Sequence, residues 1–207
     1  MSRSLVYGVG INDAPWGGIG RADDQRYRAW VRMLGRCYSP EYLALYPTYQ
    51  GCSVDPDWLK YSRFKEWMDT QHWEGMVLDK DLKVIGNRIY SPETCLFIPA
   101  WINSLLANLS TKNRDLPMGV HMHGKRFRAR YKSFGKTKSI GIFDSADDAH
   151  AAYRAYRLGE IKARVNLYCD SADADQVICV ALLRMCENEA RQVSEYPTVE
   201  PRPRRRP

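Results

Sequence analysis

Residues 118–143 read MGVHMHGKRFRARYKSFGKTKSIGIF, and this stretch decides the fold of the C-terminal half of the chain. Basic or polar side chains alternate with apolar ones, which is the period of two that a strand with one buried face produces. Gly124 and Gly135 interrupt the alternation, as residues at tight turns do. We therefore predict three antiparallel strands, over residues 118–122, 126–132 and 137–143.

A helix is predicted to follow this sheet and to pack against it. Residues 144–145 (Asp-Ser) are suitable N-terminal caps for a helix that begins near Ala146. Because residues two apart in a strand share a face, Phe127, Ala129 and Tyr131 are predicted to point toward the helix. Their predicted partners on the helix are Ala149, Ala152, Tyr153 and Tyr156.

The other face of the predicted sheet is basic. Arginine can read guanine through two parallel hydrogen bonds, and lysine can hold phosphates, so this face suits a nucleic acid. A mostly electrostatic, nonspecific contact is the alternative. The predicted DNA-binding residues are His121, His123, Arg126, Arg128, Arg130, Lys132, Lys136 and Lys138.

The positive charge of the chain is concentrated in the same region. The chain has a net charge of +7, whereas residues 112–138 carry nine lysines and arginines and a single acid, Asp115. A short, strongly basic segment of this kind is typical of a polyanion-binding element. A solvated basic face without a ligand is the alternative.

Composition predicts a soluble intracellular protein. Hydrophobic residues make up 44% of the 207 residues, and no apolar run reaches the roughly 18 residues of a membrane span. The N-terminus lacks the apolar stretch of a secretory signal. The six cysteines show no C-x-x-C spacing, so we expect reduced thiols, a cytoplasmic location and no membrane partner.

The N-terminal half is predicted to combine short helices and strands. A glycine-rich arm covers residues 1–22, apolar positions at helical spacing predict a helix over 24–36, and a loop covers 39–51. Asp55 opens a second helix with an aromatic stripe that we interpret as core. Strands are predicted over 52–54, 76–81 and 89–90, and a helix from Pro99 to about Leu109.

Several short motifs mark this half. They are GVGIND (8–13), WVRMLGRCY (30–38), PTYQG (47–51), LDKD (78–81) and YSPETC (90–95). As a set they resemble the HNH homing-type endonucleases of bacteriophages, over roughly residues 5–110. The resemblance implies a ββα-metal core that hydrolyses phosphodiester bonds with Mg²⁺ or Mn²⁺, in a host-cell cytoplasm.

The resemblance assigns roles to individual residues. Asp79 matches the metal-binding Asp of the family, Asn103 lies where the metal site is completed, and Thr94 replaces the Asn that braces the loop. Lys80 replaces the general-base His. A lysine with its ordinary pKa of about 10.4 cannot accept a proton at neutral pH. Catalysis through Asp79, Lys80 and Asn103 is therefore expected to be slow near pH 7, and Lys80→His is expected to raise it.

Other interpretations of these residues remain open. Asp79 and the nearby Asp81 also fit a solvated turn with capping acids, and His72 is either a substitute base or a surface histidine. Buried free thiols are favoured over a structural Zn²⁺ site, because the spacing is long and irregular. The cysteines concerned are Cys37, Cys52 and Cys95.

A second resemblance covers the C-terminal half. Its motifs are GV (119–120), GK (124–125), RAR (128–130), GIFDS (141–145) and AY (152–153). In this order they resemble the Apetala-type DNA-binding domain of plant ethylene-response factors, over about residues 116–165. The resemblance implies that the exposed face of the sheet enters the major groove of DNA while the helix packs behind it.

Together these patterns predict an α+β protein with a ββα-metal nuclease core, followed by a three-stranded antiparallel sheet packed on a helix. The leading hypothesis is a metal-dependent endonuclease that targets double-stranded DNA. The alternatives are a DNA-binding protein derived from such a nuclease, catalytically weak or inactive, and a virion or replication accessory protein. The predicted domains are 1–110, 116–168, a C-terminal helix over 169–195 and a disordered basic tail over 196–207.

Overall fold

The structure, a computed structural model, describes residues 4–14, 24–106, 115–133, 135–195 and 199–201. The chain divides into two compact units, Met1–Asn103 and Ser104–Pro207. Helices and strands occur in both, so the predicted α+β class is confirmed. Most of the predicted basic tail, part of the predicted N-terminal arm and the predicted end of the helix near Leu109 lie outside the described residues.

Three helices open the first unit: α1 (Gln25–Tyr38), α2 (Pro40–Leu45) and α3 (Tyr61–Asp69). The carboxylate of Asp24 caps α1 by accepting a hydrogen bond from the backbone N–H of Arg26 at 2.9 Å. The loop predicted over 39–51 instead contains α2, because Ser39 caps a second helix start. The helix predicted from Asp55 begins as a 3₁₀ turn, Pro56–Leu59, and extended backbone at Lys60 separates this turn from α3.

Short strands and a further helix complete the N-terminal region. A parallel pair consists of β1 (Ser53–Val54) and β3 (Ile89–Tyr90), and an antiparallel pair of β2 (Met76–Asp79) and β4 (Leu96–Pro99). The helix α4 (Ala100–Leu106) follows β4 directly. The strand β4 is absent from the sequence-based prediction, because a four-residue apolar run ending in proline has no detectable alternation.

The core of the first unit is aromatic. The side chains of Trp30, Trp58, Tyr61 and Phe64 are almost fully buried, and the indole N–H of Trp30 donates to the backbone carbonyl of Trp58 at 2.7 Å. Burial of one aromatic side chain of this size contributes about 1.5–3 kcal/mol. The interpretation of the aromatic stripe as core is confirmed.

The second unit consists of an antiparallel sheet and two long helices. Its strands lie in the order β5 (Val120–His123), β6 (Arg126–Ser133) and β7 (Lys136–Phe143), with Gly124 and Gly135 in the turns. The helix α5 (Ala146–Cys169) begins after the cap Ser145, as predicted, and α6 (Gln176–Ser194) after the cap Asp175. The three-stranded antiparallel sheet is confirmed.

The sheet of the second unit packs on α5 through one face only. Val120, Ala129, Tyr131 and Phe143 form this face, and they contact Ala149, Ala152 and Tyr153 of the helix. The helix α6 packs against α5 through Ile178, Leu182 and Cys186. The opposite face of the sheet is not part of this core. In the described ranges, none of the helices combines the length and the hydropathy that a membrane span requires.

Candidate nucleic-acid interface and the predicted metal site

The central strand β6 separates basic from apolar side chains. Ala129 is fully buried and Tyr131 is 7% exposed, both against α5. The alternate residues Arg126, Arg130 and Lys132 are exposed, and Arg128 is partly exposed. The pleat therefore places four cations in a row on the face away from the helix, as the alternation predicts.

The first strand adds two histidines to this row. His121 pairs with Arg128 and His123 pairs with Arg126. Directly opposite residues of antiparallel strands share a face, so both imidazoles lie on the side of the arginines. We call the surface formed by these six side chains the basic face: His121, His123, Arg126, Arg128, Arg130 and Lys132.

The third strand does not extend the basic face as predicted. Ala129 pairs with Gly141 but Arg130 pairs with Ser139, so Ile140 is an extra residue that forms a β-bulge. A shift of one residue moves every following side chain to the other face. Lys138 consequently pairs with the buried Tyr131, on the helix side.

Both predicted DNA-binding lysines of β7 lie on the helix side of the sheet. Lys136 is two residues from Lys138 on the same strand, so it shares the helix side with it. Both lysines are exposed, but they project from the side opposite the arginine row. The residues of β7 that share the basic face are Thr137 and Ser139 on one side of the bulge and Ile142, which pairs with Arg128, on the other.

Of the four cations that β6 contributes to the basic face, two have side-chain partners among the described residues. Arg126 forms an ion pair with Asp144 at 3.3 Å, and Nη2 of Arg128 lies 2.7 Å from Nδ1 of His123. Within the described residues, Arg130 and Lys132 make no ion pair and no side-chain hydrogen bond. Guanidinium and ammonium groups of this kind offer only donors, which matches the acceptors of phosphates and of guanine.

In the first unit, Lys80 is a buried structural cation. Its side chain is 8% exposed, and Nζ forms an ion pair with Asp81 at 2.6 Å and donates to the carbonyl of Asn87 at 3.0 Å. The rings of Tyr49 and Tyr90 each lie 5.8 Å from Nζ. Burial alone would lower the pKa of Lys80, but the hydrogen bond and the charge of Asp81 raise it above its ordinary value. This ammonium is unsuited to act as a base.

The loop that follows β2 is braced by two polar side chains. The amide of Asn87 donates to the carbonyls of Lys80 and Ile89 at 2.9 and 2.6 Å. Thr94 donates to the carbonyl of Ile89 at 2.6 Å and therefore braces the loop, as its assigned position implies. The sequence indicates a turn at Gly86-Asn87, but it does not predict that the Asn87 side chain stabilises the loop.

Asp79 is the last residue of β2 and closes a turn. Its Oδ1 accepts hydrogen bonds from the backbone N–H groups of Asp81 at 3.0 Å and Leu82 at 2.7 Å. Burial, together with the charge of Asp81, raises the pKa of Asp79 above its ordinary value. The turn matches the alternative that the sequence left open in that Asp79 caps it, but Asp79 is partly buried and not solvated.

Asn103 lies on α4 and is exposed, and His72 is exposed too. Among the described residues there is no group of three or more His, Cys, Asp or Glu side chains that could hold a metal ion. With Oδ1 of Asp79 used in the turn, Asp79 and Asn103 offer at most two oxygen ligands. Such a set suits Mg²⁺ that keeps several waters, and it cannot form a complete protein cage.

The three cysteines of the first unit are buried free thiols. Burial raises the pKa of Cys37 and of Cys95 to about 12, so both are protonated at neutral pH. The burial of Cys37, Cys52 and Cys95 agrees with a packing role.

Comparison of the chain with models of protein families, with curated proteins and with solved structures finds no significant match.

Proposed function

We propose that this protein binds double-stranded DNA through the basic face of the second unit, and that its first unit is an HNH-type core with weak or no catalysis. The observation that supports DNA binding is the segregation on β6. Four cations project from one face, whereas the alternate apolar residues are buried against α5. A half-buried strand has to place its polar side chains on the exposed face, but it does not have to fill all four outward positions with cations and none with a neutral or acidic residue.

The two ends of the β6 row suit different parts of a duplex. Strands of this kind can enter the major groove, where the guanidinium group recognises guanine O6 and N7. Arg128, held by His123, and the unpaired Arg130 are the candidates for base contacts. Lys132, near the end of the strand, is the candidate for a phosphate contact, which positions the protein without reading sequence.

The test uses two lysines that differ in the face they occupy. Lys132→Gln removes a charge from the basic face, and Lys138→Gln removes the same charge from the helix side of the neighbouring strand. We expect Lys132→Gln to weaken DNA binding and to reduce the slope of log K against log salt by about 1. Lys138→Gln is expected to leave both quantities close to those of the wild type.

A second pair of measurements tests base recognition. Arg130→Ala should cost about 1–3 kcal/mol of discrimination between a selected site and a scrambled one. Equal losses on both DNA sequences would reduce the proposal to backbone binding. If Lys132→Gln and Lys138→Gln change DNA affinity and salt dependence equally, the basic face is not the DNA-binding surface.

Metal-dependent phosphodiester hydrolysis is the second candidate function. It is favoured by the succession of β2, β4 and α4, in which Asp79 ends a strand and Asn103 lies on the helix after its antiparallel partner. Asp79 and Asn103 would hold Mg²⁺, which supplies Lewis-acid activation of the phosphate and of a water. The chain supplies no histidine at position 80, and the ammonium there is committed to Asp81.

A plasmid-nicking assay with Mg²⁺ or Mn²⁺ against EDTA tests hydrolysis. We expect little or no cleavage at pH 7 and a slow reaction that increases toward alkaline pH. Asp79→Ala should abolish any cleavage and leave DNA affinity unchanged. Fast, metal-dependent cleavage at pH 7 would make catalysis the main function and direct attention to His72.

A further inference from the structure

The first unit contains a basic groove, although the net charge of this unit is zero. A cleft of about 400 Å³ lies between α1 and the strands β2 and β4. Arg28, Arg32 and Arg36 line it from α1, while Trp73 and Phe97 belong to an apolar wall. No acid is among the described residues that line this cleft, which we call the arginine groove.

Within the described residues, the arginines of the groove form no ion pair with an acid. Arg28 and Arg32 are exposed and form no ion pair in the part of the chain that the structure describes. Arg36 lies deeper, and its Nη1 is 3.5 Å from the carbonyl of Leu78 and 3.4 Å from the hydroxyl of Tyr90, both neutral acceptors. A partly buried charge with only neutral partners is costly, and an anion in the groove would offset that cost.

Two acids that the structure describes near the start of α1 pair with another arginine. Asp24 and Asp69 both pair with Arg26, at 3.3 and 2.9 Å. Arg26 does not line the groove, although its guanidinium lies 5.5 Å from the centre of the Trp73 ring at the edge of the wall. The local positive charge therefore remains although residues 1–111 carry equal numbers of acids and bases.

The spacing of the arginines indicates the shape of the anion. They are four residues apart, so each is about 6 Å further along the axis of α1 than the last. Three guanidinium groups in such a row extend further than a single phosphate can reach. An extended chain of phosphates, with sugars against the apolar wall, fits the row better.

From this geometry we infer that the arginine groove binds the sugar–phosphate backbone of DNA, as a contact separate from the basic face. The inference rests on the proposed DNA-binding function. Each phosphate neutralised by an arginine releases counterions and steepens the salt dependence of binding.

The experiment uses the full chain and a matched pair of double variants. Arg28→Gln/Arg32→Gln removes two charges from the groove and spares the deeper Arg36. Lys60→Gln/Arg63→Gln removes two exposed charges of the same unit that do not line it. Binding of a DNA duplex is measured from 50 to 300 mM salt, with thermal melting as a check that both variants fold.

We expect the groove variant to lose affinity at low salt and to reduce the slope of log K against log salt by about 2. The Lys60/Arg63 variant should bind like the wild type. If the two double variants have equal affinity and equal salt dependence, the arginine groove does not bind DNA. The proposed role of the basic face would not be affected.

Comparing the groove variant with Lys132→Gln distinguishes failure of the arginine groove from failure of the basic face. If the groove variant loses affinity but Lys132→Gln does not, the groove stands and the basic face is wrong. If the wild-type chain does not bind DNA at low salt, both are wrong.

Discussion

The guanidinium of Arg128 donates from Nη2 to the imidazole of His123, whose Nδ1 and Nε2 lie 2.7 and 2.9 Å away. In the strand register His123 faces Arg126, so the contact to Arg128 is diagonal across the two strands. A guanidinium cannot accept a hydrogen bond, so the contact needs an unprotonated ring nitrogen. His123 thus holds one of the two candidate base-reading arginines in place.

His123→Phe should reduce sequence discrimination more than affinity. Phenylalanine keeps a ring at this position but removes the acceptor, so Arg128 gains rotamer freedom that binding must then remove. The ratio of affinities for a selected and a scrambled duplex measures the effect, and we expect that ratio to fall several-fold. An unchanged ratio would show that Arg128 does not read a base through this arrangement.

Gly119→Ala should destabilise the second unit. Gly119 has φ of +78°, and a Cβ there would lie 2.1 Å from Cδ2 of Tyr153, whose ring is part of the core between sheet and α5. Overpacking of this kind costs about 1–3 kcal/mol, and the left-handed backbone adds about 1–2 kcal/mol. Urea denaturation followed by circular dichroism gives the change in the free energy of unfolding.

Gly124→Ala is the matched control for that substitution. Gly124 also has positive φ, +61°, but a Cβ there would meet nothing within 4 Å. It should therefore show only the backbone cost. Equal destabilisation by the two substitutions would mean that the Tyr153 ring moves aside without loss.

The second unit was largely predictable from sequence because its signals are local. Period-two alternation in β6, glycines at the turns and an Asp-Ser cap before α5 each act within a few residues. The bulge at Ile140 was not predictable. Thr137 and Ser139 are as polar as Lys136 and Lys138, so nothing in the sequence indicates which pair faces away from the helix.

The first unit was less predictable because its site depends on distant residues. The motif places Asp79 at a strand end, where it lies, but the environment of Lys80 is set by Tyr49 and Tyr90. The arginine groove could not be predicted from the sequence for a related reason. Net charge averages over the whole unit, whereas the spacing of Arg28, Arg32 and Arg36 becomes meaningful only when the opposite wall of the cleft is known.

Lys80→His should destabilise the first unit without creating a catalyst. Imidazole is too short to replace both the ion pair with Asp81 and the bond to the carbonyl of Asn87, and hydrogen bonds from charged groups contribute about 1.5–3 kcal/mol each. The position is also enclosed by two tyrosine rings, away from bulk water. This prediction is the opposite of the sequence-based expectation that histidine at position 80 raises the rate.

Thermal melting and plasmid nicking of the same preparation test both parts of that prediction. Lys80→Arg, which keeps the charge, should retain more stability than Lys80→His. A stable Lys80→His variant that cuts DNA faster than the wild type would restore the catalytic interpretation of this position.

Asp79→Asn should stabilise the protein at neutral pH. Asparagine keeps an oxygen to accept from the N–H groups of Asp81 and Leu82, but it carries no charge. Burial and the charge of Asp81 raise the pKa of Asp79 above its ordinary value of 3.8, so ionisation of this carboxyl costs folding free energy. In the wild type, the folding free energy lost to ionisation of Asp79 increases as the pH rises from 3.8 through the raised pKa of Asp79 in the folded chain. It is absent below pH 3.8, where the carboxyl is protonated in both the folded and the unfolded chain.

The difference in Tm between Asp79→Asn and the wild type should therefore be positive at pH 7 and shrink toward zero below pH 3.8. Asp81→Asn is the contrasting control, because it leaves the Lys80 ammonium without its carboxylate and should lower Tm. Melting with and without Mg²⁺ extends the test to the metal. If Asp79 is a ligand, Mg²⁺ raises the Tm of the wild type and not that of Asp79→Asn. A lower Tm for Asp79→Asn at pH 7 in the absence of metal would show that the turn needs the carboxylate charge.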